Sequence, residues 1–281
     1  NLRVVKGSAV YTANFTPPTE PLTNVTNTKL LCCNSSTSAT AATVIPSGSI
    51  TAGGGAFATK NELTGCIELA VPGIGGGLGS GFGDYSHLIK GSGSAKTVTT
   101  SGSPAHRTGN SYYDSVIEFD GSDDKLSFDN AISNPGTGDF TFEFWAAPDD
   151  WSGSYTGLLT LTSSTGAKRF ETVIHSNTIQ IYTDTGTWRN TGFEFPREQW
   201  THVAFERYNG FLTMYINGTP EWMSANTQNY DEAWSTKQQF GKHASSYGDY
   251  DGLLQDLRCY VGVAKYKGGF DVPKPYTPVG I

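Results

Sequence analysis

The sequence is poor in charge, in cysteine and in long apolar runs, and each shortage excludes a class of protein. Charged residues are 16% of the 281 residues, the net charge is −7 and no basic cluster occurs, so no nucleic-acid partner is expected. No apolar run approaches the roughly 20 residues that a membrane-spanning helix needs, so no membrane insertion is expected. The four cysteines lack the CxxC or Cys/His spacing of metal sites, and we expect free thiols.

Glycine, threonine and serine are abundant and helix-forming runs are few, which indicates an all-β protein with many turns. The clearest pattern lies in Glu198 to Trp222, where Asn209-Gly210 and Asn217-Gly218 separate β-prone segments. Both residues of an Asn-Gly pair tolerate the positive φ of a type I′ turn. The pattern therefore predicts an antiparallel meander of residues 201–208, 211–216 and 220–223, and proline at position 220 indicates that the last is a short or an edge strand.

Several segments resemble, in family order, the laminin-G-like family. They are Phe119-Asp-Gly-Ser122 with Leu126-Ser-Phe128, Asp139 to Trp145, Trp200-Thr-His-Val-Ala204 with Tyr215-Ile-Asn-Gly218, and Gly252 to Arg258. The resemblance covers roughly residues 84 to 273 and implies a concanavalin A-like jelly roll, a β-sandwich of two antiparallel sheets. Further strands are predicted at residues 63–71, 87–90, 116–119, 125–128, 140–145, 157–161, 169–175, 178–183, 188–195, 238–241 and 253–261.

The beginning of the chain is similar to its end. Seven residue types coincide when residues 2–18 are laid on residues 257–273, at one constant offset of 255 (257 − 2). We expect residues 1–23 to be the closing strand and exit of a preceding repeat, the alternative being chance similarity. Residues 24–281 are then the jelly-roll domain, with a Gly/Ser/Thr-rich insertion at about 34–83. Because neither an initiator methionine nor a signal peptide is present, we do not expect Asn1 to be the original start.

Two further interpretations concern the early part of that domain. Thr28 to Cys33 is similar to the opening strand of the laminin-G-like family, which is expected to lie beside the closing strand at about 256–260. The glycine-rich stretch from Gly73 to Gly83 resembles a phosphate loop in its spacing. It lacks the GK[ST] ending and no alternation of strands and helices surrounds it. We interpret it as a loop.

The sequence does not predict an enzyme. Glycosidases on this fold carry Glu-x-Asp-x-x-Glu, because they need one carboxylate as acid and another as nucleophile or base. The nearest string, from Glu118 to Asp123, ends in aspartate and runs into a turn. No nucleophile-elbow motif or Ser-His-Asp order occurs.

Two kinds of binding residue are predicted. Calcium prefers several oxygen ligands, and a structural calcium ion is possible at the aspartates; the candidates are Asp120, Asp123, Asp249, Asp251 and Asp256. Solvated turn aspartates are the alternative. Glycan binding needs aromatic faces beside polar groups, and the candidates are Trp188, Trp222, Trp234, Tyr247, Asp249, Tyr250 and Asp251. The alternative is that these aromatic residues fill the core or cover its edges.

Residues 4–19 and 28–33 resemble the repeat junctions of laminin-G-like fibre and appendage proteins of tailed bacteriophages. This resemblance implies a structural protein of the virion surface whose jelly roll either is offered to a host glycan or serves as a passive spacer. Its expected partners are other copies of itself or other virion proteins. The alternative is a secreted or cell-surface bacterial lectin or adhesin with tandem domains. Residues 1–22 are also candidates for strand addition to the sheet edge of a neighbouring copy.

Overall fold

A computed structural model of the chain contains two compact units, residues 1–65 with 90–93 and residues 66–89 with 94–281. The structure describes residues 2–15, 22–32, 42–45, 66–73, 82–90, 93–108, 115–151, 155–163, 169–183, 187–231, 234, 237–245 and 247–272. The glycine-rich residues 74–81 and most of the predicted insertion lie outside that set. The division after residue 23 remains a prediction.

The smaller unit contains a three-stranded antiparallel sheet. Its strands are β1 (Leu2–Val5), β2 (Thr28–Cys32) and β3 (Ala42–Val44), in the spatial order β1-β2-β3. Asn27 precedes β2 at a φ of 67°, a conformation that asparagine tolerates better than most residues. Leu31 and Cys32 of β2 are buried, whereas Leu2 and Val4 of β1 are exposed.

The larger unit is a sandwich of two antiparallel sheets. Its strands are β4 (Ile67–Val71), β5 (Thr99–Ser101), β6 (Ala105–Thr108), β7 (Ser115–Asp120), β8 (Lys125–Ser127), β9 (Phe140–Asp150), β10 (Thr156–Thr162), β11 (Phe170–His175), β12 (Thr178–Thr183), β13 (Thr187–Glu194), β14 (Thr201–Tyr208), β15 (Phe211–Ile216), β16 (Thr219–Ala225), β17 (Lys237–Phe240) and β18 (Asp251–Val261). The seven-stranded sheet has the order β13-β12-β11-β10-β17-β8-β5. The eight-stranded sheet has the order β16-β15-β14-β9-β18-β7-β6, with β4 also beside β18. The all-β, jelly-roll prediction is confirmed.

The predicted meander forms β14, β15 and β16, and β16 is the edge strand. Asn209 and Asn217 each have a φ of 49°, and the glycines that follow have φ values of 78° and 82°. These are the positive angles that a type I′ turn requires. At Gly218 a side chain would also collide with the chain that crosses the turn, because a Cβ would lie 1.9 Å from the Phe270 carbonyl oxygen.

Aromatic side chains join the two sheets. Phe142 and Phe144 of β9 point inward and meet Phe170 of β11 and Phe240 of β17, with ring centroids 5.4 and 5.1 Å apart. All four rings are fully buried. Burying one such ring contributes about 1.5–3 kcal/mol, and edge-to-face pairs add about 0.5–1.5 kcal/mol. The alternation of apolar residues in the sequence therefore specifies a core between two sheets.

Strand β18 pairs with a different strand from the one expected beside it. Its second half pairs with β4, Leu257 opposite Val71 and Tyr260 opposite Ile67. The predicted opening strand, Thr28 to Cys33, pairs instead with β1 through residues 28–32. The expectation that it lies beside the closing strand is wrong, because β4 carries the buried residues that this position requires.

A second correction concerns residues 87–90, which were predicted as a strand and form a one-turn helix, α1 (Ser86–Lys90). Asp84 caps it, since its carboxylate accepts hydrogen bonds from the Ser86 backbone N–H at 2.8 Å and from the Ser86 hydroxyl at 2.8 Å. An aspartate at this position satisfies helix N–H groups that would otherwise be unpaired. Among the described residues, no helix is long and apolar enough to span a membrane.

Candidate functional site

The site begins with a loop that lies on the outer face of the seven-stranded sheet. Residues 241–245 and 247–250, the β17–β18 loop, cross β10 at Gly157, where a Cβ would lie 2.1 Å from the His243 nitrogen. Only glycine permits this approach. The Lys242 carbonyl oxygen accepts hydrogen bonds from the Thr160 hydroxyl at 2.9 Å and from Gln239 Nε2 at 3.0 Å. The loop is therefore held by backbone and side-chain contacts together.

Glu171 lies under this loop and is fully buried. It shares the outer face with Thr160 and Tyr182, its partners on the adjacent strands, because alternate residues such as Phe170 point to the core. Its Oε1 accepts a hydrogen bond from the Ala244 N–H at 2.6 Å. Within the described part of the chain, its buried Oε2 has no hydrogen-bond partner, and Arg169 Nε lies 3.6 Å away. A buried carboxylate with spare acceptor capacity thus underlies the surface.

His243 connects the loop to this carboxylate. Its Nδ1 accepts a hydrogen bond from the Ser245 N–H at 2.9 Å, and its Nε2 lies 3.5 Å from Glu171 Oε1. Burial lowers the pKa of His243, although the charge of Glu171 opposes the shift. The same Nδ1 also lies 3.1 Å from the Ser245 carbonyl oxygen, so both ring nitrogens have polar neighbours.

Five rings form an aromatic patch around His243. The members of this patch are Tyr155, His175, Trp188, His243 and Tyr247. Tyr155 stacks on His175 at 4.0 Å and 6°, and it lies 5.3 Å from Trp188 and 5.6 Å from Tyr247. The Tyr247 side chain is 58% exposed, and Tyr155, His175 and Trp188 are half-buried. The patch offers ring faces and polar edges at one surface.

A cation lies at the margin of the patch. The Arg169 guanidinium sits 3.5 Å from the centre of the Tyr182 ring and 5.8 Å from that of Trp188. Tyr182 and Trp188 are cross-strand partners on β12 and β13. Stacking of this kind fixes a guanidinium while leaving its edge free to donate hydrogen bonds.

An acidic pocket adjoins the patch along two stretches of chain. It has a volume of about 180 Å³, and the residues that line it are Asp120, Gly121, Asp150, Trp151, Thr156, Gly248, Asp249 and Asp251. Thr156 follows Tyr155 of the patch, and Gly248 follows Tyr247. Strand register places Asp251 opposite both Asp120 and Asp150. Burial raises the pKa of Asp251, and the charges of Asp149, Asp150 and Asp120 raise it further.

This pocket has the donor set of a calcium site. Carboxylates on three neighbouring strands supply only oxygen atoms, which calcium prefers, and their mutual repulsion is what a divalent cation relieves. Asp249 is partly engaged, since its Oδ2 accepts a hydrogen bond from Lys242 Nζ at 2.8 Å. Asp150 is engaged as well, since its Oδ1 accepts hydrogen bonds from Arg197 Nη2 and from the Trp151 N–H, each at 2.7 Å. The residues that would hold the ion are Asp120, Asp150 and Asp251, with Asp249 beside them.

Among the described residues, the carboxylates whose oxygen atoms lie close enough together to share one ion belong to a neighbouring aspartate cluster. One oxygen each of Asp120, Asp123 and Asp124 lies within 4.8 Å of the others. However, Asp124 accepts hydrogen bonds from the Ser103 and Asp120 N–H groups at 2.5 and 3.0 Å. Asp124 therefore shapes the β7–β8 turn, and Asp120 and Asp123 are the exposed members.

The predicted glycan and calcium ligands lie in several different places in the structure. Trp188 and Tyr247 lie in the aromatic patch, and Asp120, Asp249 and Asp251 line the adjoining pocket. Trp234 and Tyr250 are fully buried in the core, so a ligand finds no exposed ring face there. Asp256 is also buried, where it accepts hydrogen bonds from Arg258 Nε and Nη2 at 2.7 and 2.6 Å. It does not join the pocket.

Trp222 belongs to a different concavity, on the eight-stranded sheet. This groove has a volume of about 680 Å³, and its lining residues are Glu206, Tyr208, Asn209, Phe211, Thr213, Tyr215, Pro220, Glu221, Trp222, Met223, Lys267 and Gly268. Trp222 is half-buried and also packs against the core. The groove is predominantly apolar and lies apart from the patch.

Sequence reasoning missed Tyr155, His175 and His243. They come from three separate segments that only strand register brings together, and a lone histidine carries no pattern. The available signal was Gly157, a glycine inside a predicted strand, since such a glycine often marks the close approach of another backbone.

The comparisons with known proteins concern the sandwich. The family model Laminin_G_3, described as the concanavalin A-like lectin/glucanases superfamily, matches residues 120–264. Among curated proteins, none is significantly similar to this chain. One solved structure, domain 4 of the extracellular arabinanase AbnA from Geobacillus stearothermophilus in complex with arabinotriose, has a TM-score of 0.54 and 17% identity, over 71% of this chain and 94% of that domain.

Toxin binding domains share the same architecture. The binding domain of botulinum neurotoxin serotype G has a TM-score of 0.53 and 12% identity, over 71% of this chain and 48% of the toxin domain. That of Paraclostridial Mosquitocidal Protein 1 has a TM-score of 0.55 and 13% identity, over 73% and 50%. The chain thus spans about half the length of these toxin domains, and such identities concern the fold alone. Since the family model matches half of the chain, the chain belongs to the Laminin_G_3 family of the concanavalin A-like lectin/glucanase superfamily.

Proposed function

We propose that the sandwich is a non-catalytic carbohydrate-binding module whose site is the aromatic patch with the adjoining acidic pocket. The observation that carries the proposal is their continuity along the chain, since Tyr155 of the patch is followed by Thr156 of the pocket, and Tyr247 of the patch is followed by Gly248 and Asp249 of the pocket. Ring faces, hydrogen-bonding groups and clustered carboxylates therefore meet at one surface.

The chemistry suits a sugar. One face of a pyranose or furanose ring presents C–H groups, which pack on an aromatic face such as that of Trp188, whereas the hydroxyl groups need polar partners. Arg169 and His175 can supply these at the edge of the patch. A calcium ion held by Asp120, Asp150 and Asp251 would add coordination of sugar hydroxyls next to the rings.

The structural neighbours support the proposal by analogy of fold. One is the arabinanase domain in complex with arabinotriose. Another is botulinum neurotoxin type C, whose cell entry depends upon interaction with two ganglioside molecules, with a TM-score of 0.53. Because fold alone does not fix function, the residues of the patch remain the main support.

The absence of catalysis is part of the proposal. Glycoside hydrolysis needs two carboxylates that reach the scissile bond from either side. Glu171 is sealed under the β17–β18 loop by its contact with Ala244, and Asp150 is held by Arg197 in an ion pair at 2.7 Å. Incubation with any oligosaccharide that binds should therefore release no reducing ends.

A glycan array tests the proposal directly. The full chain is applied with calcium and with chelator, together with a Trp188→Ala variant. Binding to a defined class of glycan that Trp188→Ala abolishes would support the module, and loss with chelator would support the ion. No binding by a chain whose folding is confirmed by circular dichroism would refute it.

We further propose that the module is displayed on a virion surface as part of a fibre or appendage. The support is the resemblance of residues 4–19 and 28–33 to repeat junctions of such proteins. The alternative is a secreted or cell-surface bacterial lectin with tandem domains. Immunogold labelling of purified virus particles and of the cells, with antibody raised against the chain, decides between them: particle labelling supports the first, and cell labelling alone supports the second.

A further inference from the structure

Residues 2–15 repeat residues 257–270 in structure as well as in sequence. In the shared frame, Leu2, Arg3, Gly7, Ala9, Tyr11 and Phe15 correspond to Leu257, Arg258, Gly262, Ala264, Tyr266 and Phe270. Sequence identity at these positions would follow from chance or from a repeated function. The backbone distinguishes the two possibilities.

The strand pairing is the same in both copies. Leu2, Arg3 and Val4 of β1 pair with Cys32, Leu31 and Leu30, and the register then shifts so that Val5 pairs with Thr28. Strand β18 pairs with β4 in the same way, Leu257 to Cys259 with Val71, Ala70 and Leu69, followed by the same shift to Ile67. An irregularity at the same place in two strand pairs is a specific feature.

The segment after the strand is also repeated. Gly7 and Gly262 have φ values of 87° and 84°, a left-handed conformation that favours glycine. Tyr11 stacks on Phe15 with centroids 3.7 Å apart at 8°, and Tyr266 stacks on Phe270 at 3.4 Å and 6°. The whole segment, strand, glycine turn and stacked pair, is therefore one structural unit present twice.

The two copies differ in what covers them. In the sandwich, Leu257, Cys259 and Tyr260 are buried, and the N–H of Tyr266 donates to Glu206 Oε2 at 2.6 Å. In the other copy the apolar side chains are open, with exposed fractions of 50% for Leu2, 44% for Val4, 41% for Val10, 43% for Tyr11 and 52% for Phe15. A row of exposed apolar residues of this kind marks an interaction surface.

We infer that residues 2–15 are the closing segment of a second sandwich of this family, which they complete as residues 257–270 complete the first. The partner is accordingly a sheet like the eight-stranded one, in which the position beside β9 that corresponds to the second half of β18 is vacant. The segment would thus supply a strand inside the sheet, together with the tail that follows it. The sequence alone predicts only that residues 1–22 add to a sheet edge.

The position of Lys265, where the first copy has Val10, determines which sandwich residues 2–15 can complete. Lys265 Nζ lies 2.5 Å from Glu143 Oε1, and both side chains are nearly inaccessible. The residue that corresponds to Lys265 is Val10. A second copy of this sandwich would thus leave the buried Glu143 carboxylate without its Lys265 ion pair, with only the hydroxyl that corresponds to Tyr266 and the neighbouring His202 beside it, and removing one partner of a buried ion pair is strongly unfavourable. The partner is therefore a related sandwich that has an uncharged residue at the position of Glu143. A second copy of this chain is disfavoured as the partner.

The test exchanges the segments in the full chain. Residues 257–270 are replaced by the sequence of residues 2–15, with Glu143 or with Glu143→Gln, and a scrambled segment serves as control. A third chimera retains Tyr260 and Val261, so that lost core volume alone cannot prevent folding. We expect a cooperative thermal transition in the chimeras and not in the scrambled control.

The sign of the Glu143→Gln effect is the decisive readout. It should raise the melting temperature of the chimera by about 5 °C or more, because it removes a buried carboxylate that has lost its lysine partner. It should lower the melting temperature of the native chain, because there it removes a carboxylate that is ion-paired with Lys265. If all chimeras behave as the scrambled control, or if Glu143→Gln has the same sign in both backgrounds, the inference is overturned.

Discussion

The position of Gly157 supplies the sharpest prediction, because the whole site depends on a loop that lies directly on it. In Gly157→Ala, the new Cβ would be 2.1 Å from the His243 nitrogen and 2.2 Å from the Lys242 carbonyl carbon. Since ordinary contact begins near 3.4 Å, the loop must move away by about 1.3 Å. Both clashing atoms belong to backbone, so a change of side-chain rotamer cannot relieve them.

The cost follows from the contacts that this movement breaks. Lys242 O accepts from Thr160 at 2.9 Å and from Gln239 at 3.0 Å, and Ala244 N donates to Glu171 at 2.6 Å. Each hydrogen bond contributes about 1 kcal/mol net, and leaving the buried Glu171 carboxylate unsatisfied costs more. We expect Gly157→Ala to lower the free energy of unfolding by about 2–4 kcal/mol and to weaken glycan binding at least about tenfold.

Equilibrium unfolding in urea measures the first quantity, and titration with a bound glycan measures the second. Gly83→Ala is the matched control, because its Cβ would meet the Tyr85 ring at 3.6 Å and its φ is not left-handed. If Gly157→Ala stays within about 0.5 kcal/mol of the native chain and binds equally well, the reasoning that the loop builds the site is refuted.

Three further predictions concern charge. Burial lowers the pKa of His202 from 6.5 to about 4; the charge of Glu143 opposes this shift, and the charges of Lys265 and Arg258 add to it. The neutral ring therefore contributes its full share to the free energy of unfolding above pH 6.5. We expect that free energy to fall by about 3 kcal/mol as the pH drops to about 4. Urea titrations across that range check this, and His202→Phe should flatten the profile. Asp251→Asn should abolish the rise in melting temperature caused by calcium, whereas Asp256→Asn should keep it. Scanning calorimetry with calcium and with chelator measures this rise in each variant. An equal rise in both variants would place the ion elsewhere. Arg207→Met should cost about 2–4 kcal/mol in urea unfolding, because the buried guanidinium donates to the carbonyl groups of Gly136 and Gln228 at 2.8 Å; a cost below about 0.5 kcal/mol would contradict this.

The sequence specified the sheets better than the site. Asn209-Gly210 and Asn217-Gly218 predict turns by local chemistry alone, and both turns form between the expected strands. Residues 87–90 were misread because their apolar character suits a strand, while the capping Asp84 lies outside the segment. Local pattern therefore suffices where the cause is local.

Pairings between distant segments were harder to predict. Residues 28–32 and 67–71 are both short apolar strands, and only the burial of β4 against β18 distinguishes their places. Likewise Tyr155, His175 and His243 meet through register and through the close approach at Gly157. Such contacts depend on the assembled sheet, which a single sequence does not display.

The measurement that tests the central claim most directly compares two tryptophans. The affinity of the full chain for a glycan identified on the array is measured by calorimetric titration, for Trp188→Ala and for Trp222→Ala. The account predicts that Trp188→Ala loses binding by at least about tenfold, about 1.4 kcal/mol, while Trp222→Ala retains it. Loss with Trp222→Ala and full retention with Trp188→Ala would place the site in the groove of the eight-stranded sheet and contradict the account.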